Sequence, residues 1–187
     1  AKAVAYAKKY SCNAGNCRNP AYMSFSSTDC ANFVSQALTA GGQTQWGSAY
    51  TWRWYYVNSG NRSTSWSVVD WFVRFWVDQS HRATLKSVSM GSAYTAASGG
   101  DVYLYDWGKG NGYSHMSMST GFGKYGSYYD AHAKKNYTQI TGGTGDKMAQ
   151  HSTDRDGAPW NWGYQTETDP KVRKKMRTVI IHMKASG

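Results

Sequence analysis

The chain is 187 residues long, with 40% hydrophobic residues and a formal net charge of +10 at pH 7. That length suits one domain (1–187) with a substantial core, and no apolar run approaches a membrane span. The excess of basic residues predicts an acidic partner: nucleic acid, an anionic membrane or an anionic cell-wall polymer. The lysines and arginines are scattered, apart from Lys134-Lys135 and Lys171–Arg177, and no nucleic-acid motif accompanies them, so nucleic acid is set aside.

Aromatic residues make up 16% of the chain, with 9 Trp and 15 Tyr beside 20 Gly. This favours a loop-rich protein with strands and an aromatic-lined groove over a helical bundle. Most of the aromatics belong to the core. The remainder would suit a carbohydrate-like partner, since aromatic faces stack on sugar rings.

In chain order, residues 2–10 have helix-forming composition, with lysines near the C-terminal end. Cys12 and Cys17 enclose Asn-Ala-Gly-Asn, a turn sequence that a disulfide could close in an oxidising compartment. The third cysteine, Cys30, is then left over as a candidate reactive thiol. The chain opens on Ala1 without a leader, as a processed mature form would.

A helix is predicted to start at Cys30, capped by Thr28 or Asp29 and ended by Gly41-Gly42. Phe33, Val34, Ala37 and Leu38 give it an apolar stripe. The helix start is expected to favour thiolate at Cys30. Residues 43–62 read as an aromatic loop whose Trp46, Trp52 and Trp54 would form a substrate-binding wall.

A second helix follows Ser65 or Ser67, with Val68, Val69, Phe72, Val73 and Trp76 on its apolar face. Residues 81–98 are weakly patterned. Two alternating runs, 101–105 and 114–120, predict adjacent antiparallel strands around a Gly-rich turn. Residues 121–146 form an excursion, residues 169–176 a basic helix, and Val179–Met183 a closing strand. Helices first and strands later give an α+β protein, with N-terminal helices packed on a C-terminal antiparallel sheet.

A cysteine at a helix start and a histidine on a distant strand suit nucleophilic attack on a carbonyl. Among five histidines, His115 is the base, since it lies on a strand among small polar residues just after the Gly-rich turn. His182 reads as a core or edge residue and His81 as a surface one. For the third, orienting residue, His132 serves if residues 128–133 pair with 115–120, and His151 if residues 147–151 do. His151 and Asp154 lack further ligands at a useful spacing, so no metal is expected, and no cofactor. Residues 142–147 lack the phosphate-loop spacing.

Asn19-Pro20-x-Tyr22, Asp29-Cys30-x-Asn32-Phe33-Val34-Ser35-Gln36-Ala37-Leu38 and Gly41-Gly42 resemble the amidase domains of secreted bacterial proteins, related to NlpC/P60 cell-wall hydrolases. Ser65-Trp66, Gly100-Asp101-Val102, His115-Met116-Ser117, Gln150–Arg155, Ala158–Asn161 and Met176-Arg177 continue the resemblance in order. It implies a papain-like fold, Cys30 as nucleophile, His115 as base, His151 as orienting residue and Tyr22 as an oxyanion contact. It also implies a secreted, monomeric cysteine amidase or peptidase that cuts peptidoglycan at the cell wall. The same dyad would also serve a protein peptidase, a deamidating toxin or a lipid acyltransferase, and a non-catalytic wall-binding module is the third reading.

Overall fold

The computed structural model describes residues 1–185. Helices α1 (Lys2–Tyr10) and α2 (Cys30–Ala40) come first. A small hairpin follows, β1 (Tyr56–Asn58) with β2 (Asn61–Arg62), then α3 (Thr64–Ser67) and α4 (Val69–Val73), which runs on into a π-helical turn over Arg74–Gln79. Next come β3 (Ala83–Val88), β4 (Val102–Asp106) and β5 (Tyr113–Lys124). The excursion carries the hairpin β6 (Tyr129–Asp130) and β7 (Lys135–Asn136). Then β8 (Thr144–Gln150), β9 (Arg155–Pro159), α5 (Trp162–Thr166), α6 (Pro170–Lys175) and β10 (Arg177–Met183) close the chain.

The protein is thus a mixed α+β structure around one six-stranded antiparallel sheet, in the order β3-β10-β4-β5-β8-β9. The last strand in sequence, β10, lies between β3 and β4. Strand β3 falls in the stretch with no clear pattern, because Thr84, Leu85, Lys86 and Ser87 are all exposed on this edge strand. The pairing of β5 with β8, Met118 opposite Ala149, makes residues 147–151 rather than 128–133 the neighbours of the His115 strand.

Side chains alternate across a strand, so the sheet has two distinct faces. Val102, Leu104, Met116, Met118, Ala149, Val179 and Ile181 pack against the helices. Tyr103, Tyr105, Met148 and Ile180 face the other way, against Trp160, Trp162, Tyr137 and Met176.

Helix α2 is enclosed, with every residue from Cys30 to Leu38 buried. Phe33, Val34 and Ala37 supply the apolar contacts, and truncating a fully buried Phe typically costs about 3–5 kcal/mol. Its buried polar residues are paired. Trp66 Nε1 donates to Asn32 Oδ1 at 2.8 Å, Trp54 Nε1 to the Ser35 hydroxyl at 3.0 Å, and the Tyr6 hydroxyl to Gln36 Oε1 at 2.8 Å. Asn32, Ser35 and Gln36 therefore anchor the helix to α1 and to two core tryptophans. Its first residue, Cys30, is buried too, at the floor of an open groove.

Candidate active site

Cys30 opens α2, with Asp29 at the preceding position. Asp29 does not cap the helix in the predicted way. Its carboxylate accepts instead from the Phe25 N–H (2.8 Å), Asn32 Nδ2 (2.9 Å) and His151 Nδ1 (2.5 Å). The Asp29 N–H donates to the Ser152 hydroxyl at 3.2 Å, and Ser152 holds φ at 88° in the turn between β8 and β9. A left-handed non-glycine residue is costly, so the surrounding contacts must hold this turn in place.

Cys30, His115 and Ser152 line one open groove of about 480 Å³, with Phe25, Arg62 and Asp70 on its walls. Cys30 is 6% exposed. Burial raises the thiol above its ordinary value, and backbone hydrogen bonds at Met116, Ala31 and Cys30 itself oppose that rise without cancelling it. The helix start thus does not secure the thiolate that was expected, because desolvation outweighs the fixed dipoles. Met116 is the residue after His115, so the sulfur sits beside the strand that carries the histidine.

His115 Nε2 lies 3.0 Å from Gln150 Oε1. The Gln150 amide is fixed in turn, since its Nε2 donates to the Thr153 carbonyl at 2.8 Å. With the oxygen of Gln150 turned to His115, Nε2 carries the ring proton and Nδ1 keeps the lone pair. The ring rests against Tyr105 and Trp107, each with centroids 5.7 Å away. Burial pushes His115 down to about 4, with the Gln150 hydrogen bond acting against it. At neutral pH the site holds a neutral thiol and a neutral imidazole.

His151 is not the residue beside His115. Gln150, the last residue of β8, shares the face of His115, while His151, the first residue of the turn that follows, points towards α2 and stacks on Phe33 at 4.0 Å. Both ring nitrogens face acceptors at 2.5 Å, the Asp29 carboxylate and the Tyr10 carbonyl. Asp154 is likewise committed, in a bidentate pair with Arg18 (2.5 and 2.9 Å).

The other predicted residues disperse. His132 is exposed and lines a separate cavity with Gln150, Trp107 and Trp160. His182 bonds Asp101 at 2.6 Å, and the exposed His81 bonds the Val77 carbonyl. Tyr22 does not line the Cys30 groove: its ring stacks on Trp66 at 6.0 Å and leans on Tyr56 at 5.0 Å.

The predicted tryptophan wall divides. Trp54 is fully buried and belongs to the core, Trp46 is half-buried against Tyr50 and Phe75, and Trp52 is exposed. Cys12 and Cys17 are joined in a disulfide, leaving Cys30 as the free cysteine. No described helix is long and apolar enough to cross a membrane.

The family model described as "Putative amidase domain" matches residues 1–173. The uncharacterized protein YhbB of Bacillus subtilis (strain 168) is 34% identical over 116 residues, covering 62% of this chain. The chain spans about 35% of that relative's length. No solved structure matches.

Proposed function

Given that this chain belongs to the amidase domain family, we propose that it hydrolyses an amide bond with Cys30 as nucleophile and His115 as general base. The observation that carries this reading is a shared groove: residues 30 and 115 come from a helix start and a distant strand, yet line one open cleft. Gln150 supports it by holding His115 through Nε2 and leaving Nδ1 free to act.

The resting pair is neutral, so proton transfer accompanies attack. His115 Nδ1 takes the Cys30 thiol proton as sulfur bonds the substrate carbonyl carbon and the carbonyl electrons move to oxygen. Backbone N–H groups at the start of α2, among them those of Cys30 and Ala31 that contact the resting sulfur, turn to that oxyanion. The imidazolium returns its proton to the leaving nitrogen, the C–N bond breaks and a thioester remains. Water then attacks the thioester with His115 again as base, releasing acid and free thiol.

The substrate we propose is peptidoglycan, cut outside the cell by a secreted enzyme with a papain-like, NlpC/P60-like fold. A net charge of +10 supports attraction to anionic wall polymers, and the Cys12–Cys17 disulfide supports an oxidising compartment. The test compares the native protein with Cys30→Ala on purified cell walls, reading released fragments by mass spectrometry. Wall lysis by the native protein alone, with both proteins folded, supports the reading. Lysis by Cys30→Ala overturns it, and turnover of casein or lipid without wall fragments moves the chemistry to another acyl substrate.

A further inference from the structure

Arg62 lies on a border. It lines the Cys30 groove and also a neighbouring depression of about 340 Å³ formed with Arg53, Trp52, Tyr55, Trp71 and Gln79. Trp52 and Trp71 are 48% and 47% exposed, which is unusual for a side chain that gains so much from burial. Arg74 sits 5.4 Å from the Trp71 centroid and adds a cation at the rim.

The charges here are one-sided. No acidic side chain lines the depression, and neither Arg53 nor Arg62 joins an ion pair among the described residues. Arg53 makes one long hydrogen bond, Nε to the Tyr50 carbonyl at 3.4 Å, which leaves its terminal nitrogens open. Arg62 is better held: Nε donates to the Ser67 hydroxyl at 3.1 Å, a terminal nitrogen donates to the Ser59 carbonyl, and the guanidinium lies 4.4 Å over the Phe25 ring. Its second terminal nitrogen has no partner among the described residues. The Gln79 amide and the Thr64 hydroxyl also lack partners among the described residues.

Flat exposed aromatic faces stack on the C–H face of a sugar ring, and unpaired amide and hydroxyl groups at their edges match ring hydroxyls. Arginines without carboxylate partners take a carboxylate, in bidentate geometry when both are free. A neutral glycan would need only the tryptophans, and a simple anion only the arginines. From their combination we infer that this depression is a substrate subsite for a saccharide chain bearing carboxylates. Arg62 joins it to the groove where the amide is cut. As a substrate subsite it rests on the Cys30 reading, but the binding itself does not.

The test uses full-length Cys30→Ala and calorimetric titration with a peptide-free tetrasaccharide of alternating N-acetylglucosamine and N-acetylmuramic acid, whose lactyl carboxylates are free. The neutral N-acetylglucosamine tetramer is the control. The acidic tetrasaccharide should bind at least tenfold more tightly than the neutral one. Trp52→Ala and Arg53→Gln, both at exposed positions, should each weaken it about fivefold or more with an unchanged melting temperature. Equal binding of the two sugars, no binding at millimolar concentration, or wild-type affinity in both variants overturns the inference. Sugar binding without Cys30-dependent wall lysis overturns the catalytic reading alone, and lysis without sugar binding overturns this one alone.

Discussion

His115, on β5, and His151, in the turn that follows the neighbouring β8, lie beside the same helix start, and their surroundings give them opposite chemistry. His151 is 1% exposed and has an acceptor at each ring nitrogen, one of them a carboxylate. It ties the β8–β9 turn to α1 and to the residue before Cys30. His115 has one acceptor, a neutral amide oxygen, and aromatic rings along its flank. Burial without a counter-charge keeps it neutral and leaves it a lone pair. What the second nitrogen faces decides whether a histidine holds structure or moves a proton.

The sharpest way to break this comparison is to delete each ring in turn. His115→Ala should lower kcat/KM by about 10³-fold or more on whatever substrate the native protein turns over, with a melting temperature close to native. His151→Ala should do the reverse. It strips one partner from the buried Asp29 carboxylate, which keeps Arg18 at 3.5 Å, and should cost about 1–3 kcal/mol of stability by denaturant unfolding, with a much smaller loss of kcat in the folded fraction. If His151→Ala kills turnover while leaving stability intact, the assignments must be exchanged.

Acid titration tests the His115 half of the comparison next. The His115 imidazole falls from 6.5 to about 4 on folding. The unfolded chain therefore binds a proton at His115 between those values and the folded chain does not. The His115 contribution is fully present above about pH 6.5 and is lost as pH falls towards 4, by about 3 kcal/mol at most. His115→Phe should flatten that part of the stability curve. In turnover, the acid limb of kcat/KM should have its midpoint near pH 4, well below that of a free imidazole.

A smaller effect is expected at Gln150, which bonds His115 but does not line the Cys30 groove. Gln150→Ala should lower kcat about 10- to 100-fold with little change in KM. Gln150→Glu should restore the hydrogen bond but place a carboxylate on Nε2, moving the acid limb to higher pH. An unmoved limb would mean that Gln150 does not govern the ring.

Most of the framework was legible because its periods are clean. Cys30–Ala40 announces itself by an apolar stripe and a Gly-Gly stop, and 101–105 and 114–120 by alternation. Strand β3 was not, because an edge strand exposed on both faces loses its hydrophobic period. The groove pair, Cys30 with His115, follows from residue type and local context. Its third member did not follow, since one residue of register decides whether Gln150 or His151 shares the His115 face, and register depends on long-range pairing. Trp54 misled for a related reason: an aromatic-rich loop looks alike whether its rings face solvent or, as here, donate to Ser35 inside the core.

The smallest expected effect is at Tyr22. The resemblance gives its hydroxyl to the oxyanion, whereas its ring is held by Trp66 and Tyr56 away from the groove walls. Burial raises its phenol, so at neutral pH it remains an uncharged, mainly apolar packing group. Tyr22→Phe keeps that packing and removes only the hydroxyl, so kcat/KM should stay within about twofold of native. Tyr22→Ala removes the ring as well and should cost about 2–3 kcal/mol of stability, a loss visible in denaturant unfolding. A tenfold fall in kcat for Tyr22→Phe alone would return the hydroxyl to the transition state, and would show that the N–H groups at the start of α2 do not hold the oxyanion unaided.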